Sequence, residues 1–500
     1  MSHPSSTSSP SAPSTLKILT LNVWGLAYIS KARQFRIRYI AERLAEGDWD
    51  IVALQEIWVE SDDWRFVSAR CAERLPYTKF FYSGAFGSGL AILSRFPIFA
   101  THTQPYTLNG LPLNVGQGDW FVGKAAGSIS IDLGDGILVD VFNTHTVAAG
   151  GEDGPEMLRA HRLMQAWELS KLVQNSAEKG RHAIAVGDFN STPPSLPIAI
   201  LRNLGSLSDA FLSTHPSLPP NAVTLPGQAA LGSTTSPDPH LAIAKLGVTC
   251  DSPLNSWTEG KPLDGRARAA AGKRLDYIFY RGPYSADSEG QDPAARYTNH
   301  GRLKPVDCKV CFTERVPGSD MSCTDHFGVE ATFEILPRSI GQATKDTALN
   351  TLADRDLTST LNSAVSALGA YMHHCSKTQR SHLLGFCGCV TAALTLAIAT
   401  PFLGYRGYNL FAAGAIVLAI AAGWGGTTLL YSGVIWGEWE KRALRTAIES
   451  MELDLSHLSQ RQSLNRPNGQ SREDGSPTRV RRTSRDQRSH GPAAEAESLI

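Results

Sequence analysis

Eight acid, amide and imidazole side chains recur at or near the ends of apolar runs, where a β-sheet would deliver them to a shared rim. Asn22 closes Leu-Thr-Leu-Asn, Glu56 closes Val-Ala-Leu-Gln-Glu, His145 lies in Asn-Thr-His, and Asp188 and Asn190 lie in Gly-Asp-Phe-Asn. Asp276 sits inside Arg-Leu-Asp-Tyr-Ile-Phe, and Asp325 and His326 sit inside Ser-Cys-Thr-Asp-His-Phe. Taken singly, an Asn or Asp at a strand end is a turn residue, and a lone His is a satisfied polar group. As one ordered set they suit a different chemistry. Carboxylates and amides offer oxygen ligands to a hard divalent cation, and an imidazole beside a carboxylate suits general-base work.

The elements that must position this set are legible as alternating runs. The stretches 17–25, 50–58, 89–96, 127–133, 136–146, 182–190, 274–281 and 327–336 are rich in Val, Ile, Phe and Leu and end in Pro, Gly or Asp, as strands do. Residues 31–46 and 155–178 carry apolar residues at helical spacing, including Met157, Leu158, Leu163, Met164 and Leu172 in the second. Many strands with a few intervening helices predict a two-layer α/β sandwich with helices outside. The Ser/Pro-rich residues 1–15 read as a disordered leader, and 213–240 as a long surface loop. After a catalytic domain over 16–337, the segment 338–382 reads as a helical linker with Leu357, Leu361, Val365 and Leu368 near one face.

The net charge of the 500 residues is +0, so no global basic field gathers nucleic acid, which counts against a free nuclease. The apolar residues are unevenly spread. Residues 383–403 and 409–436 hold no charged side chain, and each reaches the roughly 20 residues that cross a bilayer core. Only Gly404–Tyr408 separates them, which predicts a transmembrane hairpin with both chain ends on one side. Lys377 and Arg380 before the pair, and Lys441, Arg442 and Arg445 after it, outweigh Arg406 in the linker. That bias puts the catalytic domain and the C-terminal tail in the cytosol. With no signal peptide at the start, the expected site is the endoplasmic reticulum or another intracellular membrane. Residues 437–500 read as a mostly disordered Arg/Ser-rich tail, whose arginines could meet anionic lipid at about 1 kcal/mol each. Eight scattered cysteines make no disulfide framework, and Cys308-x-x-Cys311 lacks the second pair a zinc site needs.

The ordered set from Asn22 to His326 resembles the endonuclease/exonuclease/phosphatase superfamily. Within it, GSGLAILSRFPI (87–98) and GVTCDSPLNSW (247–257) resemble the neutral sphingomyelinase branch, which includes the inositol phosphosphingolipid phospholipases C of fungi. The resemblance implies a four-layer α/β sandwich followed by the two-helix hairpin. It also implies Mg²⁺-dependent hydrolysis of the phosphodiester of sphingomyelin or of inositol phosphosphingolipids, giving ceramide and the phosphorylated headgroup. By the same resemblance Glu56, with Asn22, holds the metal, and His326 is the general base oriented by Asp276. Asp188 and Asn190 position the attacking water or a second metal and bind a phosphoryl oxygen. His145 stabilises the phosphate or protonates the ceramide alkoxide, and Asp325 is a metal or water ligand.

One motif misleads. Gly118-Asp-Trp-Phe-Val-Gly123-Lys124-Ala125 fits the phosphate-loop pattern, but Ala125 stands where a Ser or Thr must bind Mg²⁺, and 125–133 reads as a strand instead of the required helix. The segment resembles instead the Asp–Lys element of neutral sphingomyelinases. That gives Asp119 and Lys124 a regulatory or lipid-proximal role, with Trp120, Phe121 and Val122 in an apolar hairpin near the lipid. Two other readings compete: an endonuclease of the same superfamily, which would need a basic face and no membrane hairpin, and a catalytically inactive lipid-binding protein, which would not need every catalytic position. An inositol polyphosphate phosphatase lacks support, because Cys323-Thr-Asp-His stands where Trp-Cys-Asp-Arg is required. The expected partners are a phosphosphingolipid and the membrane, and no nucleic acid.

Overall fold

The computed structural model describes residues 12–148, 156–216, 237–283, 301–336 and 347–464. Its strands form two six-stranded sheets. The first contains β1 (Thr15–Asn22), β2 (Ile51–Gln55), β3 (Tyr77–Phe81), β4 (Leu90–Ser94), β11 (Arg302–Cys311) and β12 (Gly328–Leu336), in the order β11-β12-β1-β2-β4-β3. The second contains β5 (Ile98–Pro105), β6 (Ala125–Asp132), β7 (Leu138–His145), β8 (His182–Asp188), β9 (Ser208–Asp209) and β10 (Asp276–Arg281), in the order β5-β6-β7-β8-β10-β9.

Side chains alternate across a strand, and both faces of these sheets are covered, so the inner strands are apolar throughout. In β1, Leu16 and Ile18 enter the core between the sheets, while Leu19 and Leu21 pack outward. Helices α1 (Arg33–Glu46) and α2 (Arg65–Cys71) cover the outer face of the first sheet. Past the single turn α3 (Asp119–Val122), helices α4 (Glu156–Glu178) and α5 (Leu196–Asn203) cover the second. The result is the expected four-layer α/β sandwich, with α6 (Ala210–Thr214) and α7 (Gly265–Ala270) as small additions. Strands β3, β5, β9 and β11 have no counterpart in the predicted runs, and all four are sheet edges. An edge strand faces solvent along one side and needs no continuous apolar pattern.

The linker and the first apolar run are one helix, α8 (Thr347–Tyr405). Helix α9 (Asn409–Leu430) returns beside it and passes through a π-helical turn, Tyr431–Trp436, into α10 (Gly437–Leu464). The expectation of a mostly disordered tail from 437 is corrected at its start. Leu444, Ala447 and Met451 of α10 are fully buried, and with Leu361, Leu368 and Tyr371 of α8 they join the core formed by α4 and α5. Their helical spacing is masked in the sequence by the charged residues between them. The expected linker is thus partly a structural layer of the catalytic domain. Residues 1–11 of the leader, 217–236 of the loop and 465–500 of the tail lie outside the described residues.

Beyond that layer the hairpin is the reverse of a core. Its two helices are long and apolar enough to cross a membrane, and their large apolar side chains face outward, with Leu384 74% and Leu410 84% exposed.

Candidate active site

Strand register assembles the rim. The parallel pairing of β1 with β2 sets Asn22 beside Gln55, so Glu56 follows at the same edge. The parallel pairing of β7 with β8 sets His145 beside Asp188, and the antiparallel pairing of β8 with β10 sets Asp276 on the other side of Asp188. Cys250 forms an isolated bridge with His326 and brings the last member in. Gly187 explains how β7 and β8 close beneath the site. At its φ of +140°, an added Cβ would lie 1.9 Å from the Thr144 carbonyl oxygen, so no side chain fits there.

These placements bring the side chains into contact. The Asn22 Nδ2 donates to Glu56 Oε1 at 3.0 Å and to Asp188 Oδ2 at 3.1 Å. His326 Nδ1 lies 2.9 Å from Asp276 Oδ2, and its Nε2 lies 3.8 Å from Asp188 Oδ2. His145 Nε2 is 3.5 Å from Asp188 Oδ2 and 3.9 Å from Glu56 Oε1. Asn190 donates its backbone N–H to Asp188 Oδ1 and its amide to the Thr146 carbonyl. Asp325 lies beside the cluster, 4.0 Å from Lys261 Nζ and close enough for its charge to act on Glu56. Glu56 and Asn190 both have positive φ, a strained choice for residues with side chains and one that tertiary contacts must hold.

Burial dominates the electrostatics. It pushes the Glu56 carboxyl up, with the Asp325 charge adding to the rise. It pushes Asp188 up to about 7, His326 opposing and Asp276 adding. His145 is driven well below the ordinary imidazole value by burial and by the Lys124 and His326 charges. His326 goes the other way. Burial opposes the rise, but Cys250, Asp276 and Asp188 outweigh it. The Cys250 thiol is itself pushed up by burial.

Asp119 and Lys124 point inward from α3 and the residues that follow it, not out to a surface. Both are buried, Lys124 with 3% exposure, and their charged ends are 3.8 Å apart. Lys124 Nζ reaches the rim, 3.0 Å from His145 Nδ1 and 2.9 Å from Nε2. A neutral imidazole carries a hydrogen on one ring nitrogen, so only the other can accept from the ammonium and at most one of these contacts is a hydrogen bond. Trp120 and Phe121 form the helical turn α3 and not a hairpin. Gly123 ends that turn at φ +62°, and its position is set by packing against Gly84, whose Cα would be 2.4 Å from an added Cβ. The glycine serves close backbone approach there, and β6 follows it directly, as a phosphate loop could not allow.

Other supporting residues went unnoticed in the sequence. Gln55 donates to Asn143 Oδ1 at 2.7 Å, and Asn143 donates to the Leu54 and Ala91 carbonyls, tying the two sheets together under the rim. Buried Arg36 donates to the carbonyls of Val23, Trp24 and Cys323, joining the loop after Asn22 to the loop before His326. Thr324 Oγ1 adds a bond to the Asn22 carbonyl. Asn143 lay within the Asn-Thr-His run and could have been found; Arg36 reads in sequence as one more surface charge of α1.

The rim fits a divalent cation. Glu56 Oε1 and Asp188 Oδ2 converge on a single amide nitrogen, both carboxyls are raised by burial, and the donors are hard oxygens. Asp188, Asp276 and His326 also offer ligand atoms within 4.8 Å of one another. The contact of His326 Nδ1 with Asp276 commits one side of that second group to a His–carboxylate pair.

Residues 19–326 match the endonuclease/exonuclease/phosphatase family, and the chain belongs to it. It is 36% identical over 326 residues to the inositol phosphosphingolipids phospholipase C of Schizosaccharomyces pombe, covering 64% of this chain and 68% of that one. With the protein of the same name from Saccharomyces cerevisiae it shares 30% identity over 472 residues, covering 89% and 90% of the two chains, too long a match to be confined to the sandwich. It is also 34% identical over 200 residues to human sphingomyelin phosphodiesterase 2, covering 40% of this chain and 47% of that one.

Proposed function

We propose that this phosphoric diester hydrolase is a membrane-bound, Mg²⁺-dependent sphingolipid phospholipase C that releases ceramide and a phosphorylated headgroup. The observation that carries this reading is the union of two features in one core. A buried carboxylate–imidazole rim belongs to the same packed body as a hairpin with outward-facing apolar side chains. A substrate that never leaves the bilayer suits an enzyme held at its surface.

Glu56, with Asn22 beside it, would hold the Mg²⁺, which would neutralise the anionic phosphoryl oxygens. His326 takes the proton of the attacking water at Nε2, and Asp276 keeps Nδ1 protonated and balances the imidazolium. Asp188 and Asn190 position the water, and Asp325 supplements the polar rim. Attack on phosphorus breaks the bond to the ceramide oxygen. His145, with Lys124 beside it, stabilises the charge that develops there. The hairpin spans the membrane over 383–403 and 409–436, with both ends of the chain in the cytosol. The nested aromatic contacts of Phe86, Phe121, Trp120 and Trp436 sit where it leaves the sandwich, a fitting level for an interfacial belt. The two fungal relatives, matched over more of their length than the human one, favour an inositol phosphate headgroup.

The test is headgroup release from inositol phosphosphingolipid and from sphingomyelin, with and without Mg²⁺, using wild type, His326→Ala, Asp276→Asn and the double variant. Mg²⁺-dependent release is expected, with the double variant little worse than His326→Ala, because residues acting as one unit are non-additive. No release from either lipid, or losses that simply multiply, would refute the assignment. A chain with 383–436 replaced by a short polar linker should leave membranes on carbonate extraction while still cleaving short-chain substrate in detergent.

A further inference from the structure

A cavity of about 230 Å³ lies where the hairpin leaves the sandwich. One wall is the catalytic domain, with Leu111, Leu113 and Met157. The other is the last turns of α8 before the first apolar run and the π-helical turn that closes the second. Three atoms of its lining residues, His382 Nδ1, Ser432 Oγ and Trp436 Nε1, are buried without a hydrogen-bond partner. A buried polar group left unpaired is destabilising, and three around one space point to a ligand that completes them. Ser432 and Trp436 both fall in the π-helical turn, a distortion that frequently marks functional sites.

We infer that this cavity binds the head of an uncharged, hydroxyl-bearing lipid drawn from the bilayer. The chemistry of the lining selects for it. Apart from the carboxylate of Glu440, no lining residue carries a fixed charge, and none is a Lys or Arg. Glu440 is spoken for, since it accepts from His161 Nε2 at 2.9 Å and from Tyr371 Oη at 2.8 Å, and it would repel an anionic headgroup. The buried unpaired groups are a hydroxyl, an indole N–H and an imidazole nitrogen, the complement of a neutral hydroxyl or amide. The volume is enough for a small head but not for a whole lipid. The acyl or ring portion would lie along the exposed apolar face of the hairpin. Diacylglycerol, ceramide and sterol share this chemistry. The inference rests on the membrane reading above, and its occupant would bridge the hairpin and the sandwich.

The test uses the full-length chain in detergent micelles and in phosphatidylcholine vesicles. Photoactivatable diacylglycerol, ceramide, sterol and phosphatidylserine are cross-linked to it in turn, and the labelled peptides are mapped by mass spectrometry. At least one of the three neutral probes should label peptides from 371–382 or 432–440, with competition by its unlabelled lipid. Ser432→Ala combined with Trp436→Phe should cut that labelling about tenfold, as the loss of two neutral hydrogen bonds predicts. The same pair should leave thermal stability without added lipid unchanged or slightly higher, since it removes orphaned polar atoms. Labelling absent from these peptides, insensitive to the double variant, or equally strong with phosphatidylserine would overturn the inference and leave the cavity to ordered water. Vesicle flotation reports separately on the membrane reading, because the micelle arm tests the cavity whether or not the chain floats.

Discussion

The rim of the sandwich and the C-terminal hairpin break the usual rule of residue placement in opposite directions. At the rim, Asn22, Asp188, Asp276 and His326 are buried although polar or charged. On the hairpin, Leu384, Leu394, Ile398 and Leu410 are exposed although apolar. Each pattern costs free energy in water alone, and under the proposed function each is relieved by a different medium, a cation and a phosphate in one case and hydrocarbon in the other. Between them lies a seam that follows the ordinary rule. His161 accepts from the Gly110 N–H at Nδ1, so it is the tautomer with hydrogen on Nε2, and it donates that hydrogen to Glu440 of α10. Burial raises the Glu440 carboxyl, but the His161 and Tyr371 donors outweigh it and hold the group below its usual range. The seam is therefore built for stability, and the two regions on either side of it are built for something bound.

Substitutions can test that division. The largest effect should come at the rim, where Glu56→Gln removes an anionic ligand while keeping its shape. Turnover should fall at least about a hundredfold, as for damage to a metal site, with thermal stability preserved or raised. Near-normal turnover at millimolar Mg²⁺ would remove Glu56 from the metal site. At the seam, Glu440→Ala leaves a buried imidazole and a phenol without their acceptor and should cost about 2 kcal/mol, read by thermal unfolding in detergent. An unchanged midpoint would mean that α10 is not a structural layer.

A third variant separates the seam from the rim by pH. Glu168 of α4 accepts from the Thr107 N–H, and burial pushes its carboxyl up to about 7. The folded chain then holds a proton that the unfolded chain releases near pH 4.5, so this group's contribution to stability falls as pH rises from about 4.5 to about 7, at no more than about 1.4 kcal/mol per unit. Glu168→Gln should flatten the stability profile in that window relative to wild type; parallel profiles would contradict the assignment. The smallest effect belongs to Lys171 and Asp454, a half-exposed pair joining α4 to α10. Lys171→Ala should cost under about 1 kcal/mol, with losses near those of Glu440→Ala counting against the division.

Much of the site was visible in the order of its residues, because several members follow an apolar run that commits them to a strand end. Asn22, His145 and Asp188 were legible for that reason. The contact of Lys124 with His145 was not, since nothing in Gly-Lys-Ala shows that the chain turns inward after Gly123 and carries the ammonium there. Edge strands such as β5 escaped notice because their solvent side imposes no apolar pattern. The burial of α10 escaped notice because its apolar residues are spaced among charges.

By itself the sequence determined the sandwich, the hairpin and the identity of the reactive groups. The first two follow from local periodicity and from uncharged runs long enough to act alone, and the candidate reactive groups from their order along the chain and the family it resembles. Only the tertiary structure decided which groups touch. Strand register places Asp188 between His145 and Asp276, a one-amide bridge joins Glu56 to Asp188, and α8 and α10 become part of the catalytic domain. These relations depend on residues far apart in the chain packing against one another, and no local pattern encodes a distance across a fold.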